Sequence, residues 1–164
     1  MTKIGVLSDT HIQDLRSGID FLQEIRDRHF QGVSCILHAG DTVNPDILLA
    51  FDDLPVYRVR GNMDPSEKGL QVKRVVTFDH FKVGLIHGWG PPQGLEERVL
   101  QEFNGQQLDV LVYGHSHYPV CHRRDGLLFF NPGSPTDRRS APFHSVGLLE
   151  IGDTARGQII NIDA

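Results

Sequence analysis

The most constraining feature of this 164-residue sequence is a set of five short apolar runs that are rich in β-branched residues. Runs of this length and composition are typical of buried strands. They cover residues 3–7, 33–37, 56–59, 83–86 and 110–113. Between the first two runs, Ile19, Leu22 and Ile25 recur near helical spacing among charged residues, which predicts an amphipathic helix over residues 17–29. The first half therefore alternates strand and helix.

The second half of the chain favours antiparallel strands. Asp79-His80 and Arg124-Asp125-Gly126 each separate two strand-like runs and predict hairpins. Shorter helices are predicted over 45–51 and 95–103, further strands over 145–151 and 157–162, and long loops over 63–72 and 132–144. We expect two packed sheets flanked by helices. Since the length is that of one ordinary domain, we expect a single domain over residues 1–164.

Composition and charge exclude several classes of protein. Hydrophobic residues make up 39% and charged residues 23%, which is the balance of a folded protein in water. The formal net charge is -5, so we do not expect polymeric nucleic acid as a partner. Cys35 and Cys121 form no disulfide framework, no leader fits before Asp9, and no apolar stretch reaches about 18 residues. These features predict a cytoplasmic protein without a membrane segment.

Polar residues that could bind a metal follow every one of the five apolar runs. They are Asp9 and His11, then Asp41, then Asn62, then His87, then His115 and His117. Because the carboxyl ends of parallel strands meet at one edge of an α/β sheet, we expect these side chains to converge there. Glycine stands beside nearly all of them, which suits close approach of the backbone to a bound group.

The types of these seven residues point to transition-metal chemistry. Two carboxylates, one amide oxygen and four imidazoles form a mixed oxygen and nitrogen set that suits borderline divalent metals. Seven ligands are too many for one tetrahedral site, but they suit two ions about 3.5–4 Å apart if one carboxylate bridges them. Asp41 is the predicted bridge. We expect two divalent ions, with manganese as the first choice and iron, nickel, cobalt or zinc as alternatives.

The order of these motifs resembles that of the calcineurin-like metallophosphoesterase superfamily. Asp-x-His, Gly-Asp, Gly-Asn, His-Gly and Gly-His-x-His follow one another between residues 9 and 117. The small size, the Gly-Asn-Met-Asp sequence and Asn-Pro-Gly-Ser at 131–134 resemble its compact bacterial and archaeal phosphodiesterase branch. That branch also includes a eukaryotic sorting-complex scaffold subunit.

The resemblance implies an α/β fold of the αββα type, a four-layer sandwich of two mixed sheets flanked by helices. It also implies two ligand groups that share Asp41. One group is Asp9, His11, Asp41 and His117, and the other is Asp41, Asn62, His87 and His115. The protein is expected to be a phosphoesterase, and more narrowly a phosphodiesterase, that hydrolyses a small or nucleotide-like phosphodiester. A hydroxide that bridges the two ions would attack phosphorus, and the protein itself would supply no nucleophile.

Two other functions compete with this hypothesis. The first is a protein-binding scaffold of the same fold with little or no catalysis, but a scaffold has no reason to keep every ligand, and this chain lacks none. The second is a nuclease, which is disfavoured because the chain is acidic and has no long basic or aromatic run. A homo-oligomer remains open.

Met63 is expected to limit the range of substrates. Larger phosphatases of the superfamily carry histidine directly after the asparagine ligand, where it can protonate the leaving group, and members of the small branch commonly carry cysteine. Methionine cannot donate a proton. We therefore expect weak hydrolysis of monoesters with poor leaving groups.

The remaining histidines and two arginines are assigned by position. His38 is predicted to be a hydrogen-bonded supporting or core residue, and His29, His80 and His122 are predicted to lie at the surface. The assignment of His144 stays open. Arg138 and Arg139 are either solvated or, with Asn62, bind the substrate phosphate.

Overall fold

A five-stranded mixed sheet forms one half of the computed structural model, which describes all 164 residues. Its strand order is β10-β9-β1-β2-β3. Strands β1, β2 and β3 are parallel to one another, and β9 is antiparallel to both β1 and β10. The bounds are β1 Thr2–Leu7, β2 Cys35–His38, β3 Val56–Arg58, β9 Ser145–Ile151 and β10 Ala155–Asn161.

A second five-stranded mixed sheet has the order β4-β5-β6-β8-β7. Here β5, β6 and β8 are parallel, while the two edge strands β4 and β7 pair with them through antiparallel hairpins. The bounds are β4 Lys73–Phe78, β5 Phe81–Ile86, β6 Val110–Val112, β7 Val120–Arg124 and β8 Leu127–Asn131. Both predicted hairpins are thus confirmed.

Apolar side chains hold the two sheets face to face. Alternate residues of the buried strands point into this layer because successive side chains of a strand face opposite sides. The layer includes Ile4, Val6 and Leu37 from the first sheet and Val83, Leu85 and Val112 from the second.

Helices cover the outer faces of both sheets. The helix α1, Leu15–His29, packs through Leu22 and Ile25 on the first sheet together with a 3-10 helix, Pro45–Phe51. The helix α2, Leu95–Gln101, packs on the second sheet through Leu95 and Val99. The predicted αββα sandwich of two mixed sheets is therefore confirmed. No helix is both long enough and apolar enough to cross a membrane.

The helix bounds differ from the predictions by a turn at most. Helix α1 begins two residues early because Asp14 caps it, with the carboxylate accepting a hydrogen bond from Ser17 N at 2.9 Å. Gly18 faces the 3-10 helix so closely that a Cβ there would lie 2.6 Å from Ile47 Cγ2. The close contact explains how the two helices share one face of the sheet.

The two sets of parallel strands place their carboxyl ends at the same end of the sandwich. In the first sheet Leu7 pairs with His38, and in the second Leu85 pairs with Val112, so neighbouring strands end nearly level. The sequence predicted convergence at one edge of a sheet. Instead, the edges of two sheets meet, and each sheet supplies part of the site described next.

Candidate metal centre

All seven predicted ligands lie on the loops that leave the parallel strands. The first sheet supplies Asp9 and His11 after β1, Asp41 after β2 and Asn62 after β3. The second sheet supplies His87 after β5 and both His115 and His117 after β6. The oxygen donors therefore come from one sheet, and three of the four imidazoles come from the other.

Asp9 lies at the middle of the group and is fully buried. Its Oδ2 accepts hydrogen bonds from Ser8 Oγ at 2.7 Å and from the backbone N–H of His115 at 3.0 Å. These two contacts turn Oδ1 toward three imidazoles. Oδ1 lies 3.4 Å from Nε2 of His117 and 3.7 Å from Nε2 of both His11 and His87.

Asp41 is held in the same way by one oxygen. Its Oδ1 accepts a hydrogen bond from the backbone N–H of Met63 at 2.8 Å. Its Oδ2 lies 3.3 Å from Nε2 of His11 and 3.2 Å from Nε2 of His87. Both aspartates thus contact imidazoles from each of the two predicted ligand groups.

The imidazoles of His87 and His117 are oriented by backbone carbonyls. His87 Nδ1 donates to Ala39 O at 2.7 Å, and His117 Nδ1 donates to Asp137 O. Since a carbonyl can only accept, Nδ1 of each ring carries a proton, and Nε2 is directed toward the aspartates. His115 has the opposite arrangement, because its Nε2 donates to Gly90 O at 2.9 Å and leaves Nδ1 free.

Asn62 and His115 lie at the margin of the group. The amide Oδ1 of Asn62 is 3.0 Å from His87 Nε2, and the ring centroids of His115 and His87 are 5.3 Å apart. The two tightest groups of potential ligand atoms are Asp9, His11 and His117, and Asp9, Asp41 and His87. Asp9 is common to both of these groups, while Asp41 contacts His11 and His87 through one oxygen, so its predicted bridging role stays a prediction.

The donor atoms fit a divalent metal. Asp9 Oδ1, His11 Nε2 and His117 Nε2 are buried and have no hydrogen-bond partner. Buried polar atoms without partners are costly and uncommon in folded proteins. Three of them face one another here, and a carboxylate with imidazoles is a donor set that suits zinc, manganese and their neighbours. These residues therefore fit a divalent metal ion, and the seven-ligand, two-ion centre stays a prediction.

The carboxylates and imidazoles shift one another's protonation strongly. Burial tends to raise the pKa of Asp9, but the imidazoles of His11 and His117 outweigh it and hold that pKa well below its usual range. Asp41 and then Asp9 raise the pKa of His11 to about 9. A proton on the His11 imidazole therefore compensates the buried carboxylates, and a metal ion competes with it for the same nitrogen.

The ligand loops adopt an unusual backbone conformation. Asp9, His11, Asp41, His115 and His117 all have positive φ, between 46° and 73°. Few residues other than glycine adopt this region, although Asp and His are enriched among them. Positive φ at five ligand positions requires the surrounding structure to hold these loops in place.

Asp64 holds two of these loops together, a role that the sequence analysis did not assign. The side chain is buried, and its carboxylate accepts hydrogen bonds from the backbone N–H groups of Asp41, Val43 and Gly61 at 2.8–2.9 Å. It therefore joins the loop after β2 to the loop after β3. Its position at the end of the Gly-Asn-Met-Asp sequence was the available signal.

The loop that contains Asn-Pro-Gly-Ser supports the centre from the other side. Ser134 Oγ donates to Asp9 O at 2.8 Å, and Thr136 Oγ1 donates to Thr10 O at 2.8 Å. Asn131 Nδ2 donates to Ser116 Oγ at 3.1 Å. The loop thus fixes the backbone that follows β1 and the backbone between His115 and His117.

Two glycines beside the centre are required by close packing. A Cβ at Gly61 would overlap the Asp41 side chain, and a Cβ at Gly114 would overlap Ser8 Oγ and approach Asp9 Oδ2. Both glycines are among those that the sequence placed beside a ligand. They let the loops of the two sheets approach the aspartates.

His38 supports the centre without reaching it. The ring is fully buried, its Nδ1 accepts a hydrogen bond from Gly40 N at 3.1 Å, and its Nε2 lies 3.1 Å from Thr10 Oγ1. Burial lowers the pKa of His38 to about 4, so the ring is neutral at physiological pH. This matches the supporting role predicted for it.

The other predicted residues lie outside the ligand group. His80 and His122 are exposed, His29 is half-buried, and His144 pairs with Asp163 at 2.9 Å. Arg138 Nη1 donates to Ala141 O at 2.7 Å within its own loop, whereas Arg139 Nη1 donates to His115 O at 3.1 Å. Only Arg139 of the two arginines therefore contacts the backbone of a predicted ligand.

The two-sheet sandwich carries buried oxygen and nitrogen donors that could hold a metal ion. The sequence profile described as the Calcineurin-like phosphoesterase superfamily domain matches residues 2–154. The chain therefore belongs to the calcineurin-like phosphoesterase superfamily.

Individual relatives agree with this membership. A probable metallophosphoesterase of Methanothermobacter thermautotrophicus is 41% identical over 168 residues, which cover 98% of this chain and 93% of the relative. A phosphodiesterase of Methanocaldococcus jannaschii is 26% identical over 80% of this chain and 82% of its own length. Among solved structures, Vps29 of Entamoeba histolytica complexed with Zn²⁺ is 25% identical with a TM-score of 0.67, covering 98% of this chain and 99% of that chain.

Proposed function

We propose that the protein is a phosphodiesterase that uses two divalent metal ions to hydrolyse a small phosphodiester. The ions would be held by the seven residues Asp9, His11, Asp41, Asn62, His87, His115 and His117. The observation that carries the proposal is the group of buried donor atoms, Asp9 Oδ1, His11 Nε2 and His117 Nε2, that face one another without hydrogen-bond partners. Such atoms suit cation binding, and without a bound cation they lower the stability of the folded protein.

The two aspartates and two of the histidines have defined tasks in this proposal. The bound ions would supply an activated water as the nucleophile and would stabilise the negative charge that grows at phosphorus. Asp9 and Asp41 each keep one oxygen on a protein N–H or O–H, so the other oxygen is fixed in direction. His87 and His117 are fixed as the Nδ1–H tautomer, which keeps Nε2 available as a ligand.

Arg139 is the residue best placed to bind the substrate phosphate. Its guanidinium contacts the carbonyl of His115 and is otherwise exposed at the margin of the centre. A guanidinium presents several parallel donors that match phosphate oxygens. Arg138 is directed into its own loop instead.

Met63 limits hydrolysis of esters, above all monoesters, that have poor leaving groups. The residue follows Asn62, its side chain is 56% exposed, and only its backbone N–H contacts the centre, through Asp41. The side chain has no proton to donate to a leaving group. The choice of a diester as the substrate is supported separately by a relative that carries the name phosphodiesterase.

The similarity to Vps29 makes a protein-binding scaffold the second candidate function. That structure holds Zn²⁺, so a donor set of this kind does not by itself distinguish an enzyme from a scaffold. Turnover distinguishes them, because a scaffold binds metal without hydrolysing a diester.

A reconstitution experiment tests the proposal. The protein is stripped with a chelator, its metal content is measured, and it is loaded with manganese, iron, cobalt, nickel or zinc before assays on a nitrophenyl phosphodiester and the matching monoester. We expect about two ions per chain and turnover of the diester above that of the monoester. Binding of metal without any turnover would favour the scaffold, and failure to bind metal would overturn the proposed two-metal phosphodiesterase.

A further inference from the structure

A cavity of about 450 Å³ lies between the start of α2 and the connection from β6 to β7. Ser116 forms part of its wall, and this residue separates His115 from His117 in the chain. The Cα atom of Ser116 is therefore about 3.8 Å from the Cα atoms of two predicted ligands. None of the seven ligands lines the cavity, so the part of a substrate that it holds is not the phosphate group.

One wall of the cavity is apolar and includes an aromatic ring. Leu95 and Val120 contribute aliphatic surface, and Tyr118 contributes a ring whose residue is 45% exposed. An exposed tyrosine at the edge of a cavity can stack on a planar group, because aromatic faces pack on one another with a preference beyond buried area alone. The apolar wall therefore favours a ring over a short alkyl group.

Two carboxylates that are fixed in place, those of Glu96 and Glu97, also line the cavity. Glu96 Oε2 accepts a hydrogen bond from the buried Tyr113 hydroxyl at 2.6 Å and lies 2.7 Å from His122 Nε2. Glu97 Oε1 accepts from Arg124 Nη1 at 2.6 Å, which leaves Oε2 of Glu97 as an acceptor. These contacts hold both carboxylates at the cavity, which Tyr113 also lines.

The carboxylates restrict the chemistry of the group that fits. A carboxylate only accepts hydrogen bonds, so the bound group must donate them through hydroxyl, amino or ring N–H groups. A second phosphate would be repelled by Glu96 and Glu97. The occupant is therefore an uncharged, ring-bearing group with several donors.

We infer that this cavity binds the nucleoside part of a phosphodiester substrate, with its base against Tyr118 and its hydroxyl groups toward Glu97. The inference rests on the proposed phosphodiesterase function and makes it more specific. The cavity volume is within the range of about 300–1,000 Å³ that is typical of small-molecule sites, whereas a methyl or aminoalcohol group would fill only a small part of it.

Two substrates with the same leaving group test the inference by turnover. Thymidine 5′-(4-nitrophenyl phosphate) and methyl 4-nitrophenyl phosphate both release nitrophenolate, so the ratio of their kcat/KM values reports on the second ester group. We expect the ratio to exceed about ten in the wild-type protein and to fall about tenfold in both Tyr118→Ala and Glu97→Gln. A wild-type ratio near one, or a ratio that neither variant changes, would overturn the inference.

The matched control is Glu102→Gln. Glu102 is an exposed carboxylate just beyond the other end of α2, where it lies 3.7 Å from Lys73 Nζ. It does not line the cavity. We expect this variant to leave the ratio unchanged, and an equal fall would mean that charge at a distance, and not the cavity wall, sets the preference.

Binding of thymidine to the chelator-treated protein gives a readout that does not depend on turnover. Isothermal titration is expected to detect binding to the wild-type protein that weakens about tenfold in Glu97→Gln and Tyr118→Ala. Hydrolysis of the methyl ester without thymidine binding would overturn the nucleoside subsite alone. Thymidine binding without hydrolysis of either ester would overturn the proposed phosphodiesterase, and with it the role of the cavity in a substrate site.

Discussion

The two ends of the sandwich differ in the kind of turn that joins their strands. At the end that holds the candidate centre lie seven of the nine non-glycine residues with positive φ, including Val43 at 73°. The other two, Asp79 and Asp125, lie in the hairpins that precede β5 and β8 at the opposite end. Aspartate and glycine are common in such hairpin turns, so the opposite end uses residues that suit their conformation.

The difference shows where the fold stores strain. Residues in sparsely populated backbone regions cost about 1–3 kcal/mol each and persist only when the surrounding structure holds them. Asp64, Ser134 and Thr136 provide that support at the centre through hydrogen bonds to backbone groups. The hairpins at the other end need no such network. Substitutions at the two ends should therefore differ in effect.

The largest difference is expected for Asp41→Ala compared with His29→Ala. Asp41 contacts His11 and His87, so its loss removes a donor that both ligand groups share in the proposed centre. We expect kcat/KM to fall by about 10³-fold or more, with a lower metal content, because loss of one member of an interdependent catalytic group removes most of the activity. His29 ends α1 away from the centre, and its variant should keep near-normal turnover.

Turnover and metal content of both variants are measured on the same purification schedule. Near-normal turnover of Asp41→Ala, with contaminating phosphoesterases excluded, would rule out a centre built on this residue. An equal loss of turnover in His29→Ala would mean that a residue at the carboxyl end of α1 affects the centre from a distance.

The second effect concerns the leaving group and Met63. A missing general acid costs about 10²–10⁴-fold, and the loss falls on basic alkoxides more than on aryl oxides of low pKa. We expect log kcat/KM to fall steeply as the pKa of the leaving group rises across a series of phosphodiesters. Met63→His places an imidazole beside the centre and should flatten this slope and raise hydrolysis of monoesters.

The plot of log kcat/KM against leaving-group pKa for wild type and Met63→His is the measurement. A shallow slope in the wild-type protein would contradict the role given to Met63. It would mean that another residue already donates the proton. The structure disfavours two histidines as this proton donor, because His38 is buried and neutral and His144 pairs with Asp163.

A smaller effect is expected for Asp64→Ala, compared with Asp153→Ala in the turn between β9 and β10. Loss of the Asp64 carboxylate leaves three backbone N–H groups without their acceptor, at Asp41, Val43 and Gly61. We expect the free energy of unfolding to fall by about 3 kcal/mol and kcat/KM to fall about 10–100-fold. Asp153 is exposed, and its variant should change stability by less than about 0.5 kcal/mol.

Urea denaturation and steady-state kinetics of both variants provide the comparison. Equal stability losses at Asp64 and Asp153 would show that the loops of the centre need no support from Asp64. An unchanged kcat/KM in a destabilised Asp64→Ala would show that the ligand positions do not depend on this contact.

The strands and the ligands could be predicted from sequence because both have local signals. Apolar β-branched runs mark strands such as β1 and β6, and each polar residue that directly follows a run lies at the end of that strand. The change from alternating strands and helices to antiparallel strands predicted two packed sheets flanked by helices, and the resemblance to a family implied the four-layer αββα order. That the two parallel sets belong to different sheets could not be read from the runs, since parallel strands in either arrangement have the same apolar pattern.

The supporting contacts could not be predicted because they join distant segments without any periodic pattern. Ser134 lies 125 residues from Asp9, and Asp64 lies 23 residues from Asp41. The 3-10 conformation of Pro45–Phe51 was also not predicted. The capping residue Asn44 and the proline that follows it suit the start of an α-helix and of a 3-10 helix equally. The backbone strain of Val43 has no sequence signal at all.

The smallest expected effect is a gain in stability when the backbone strain at Val43 is removed. Val43 has a φ of 73°, and a β-branched residue in this region is a true outlier. Its backbone N–H donates to Asp64 Oδ1 at 2.9 Å, and glycine keeps this hydrogen bond. Val43→Gly removes a cost of about 1–2 kcal/mol and adds about 0.5–1 kcal/mol of chain entropy, so we expect a net stabilisation of about 0.5 kcal/mol.

Val75→Gly is the matched control, because Val75 is 36% exposed in the middle of β4 and does not have positive φ. Glycine there loses β-propensity and adds chain entropy without relief of strain, so we expect a loss of about 1 kcal/mol. Thermal and urea unfolding of the two variants should therefore shift in opposite directions. If Val43→Gly destabilises the protein as much as Val75→Gly does, the conformation of Val43 is not strained, and the contrast between the two ends of the sandwich loses its energetic basis.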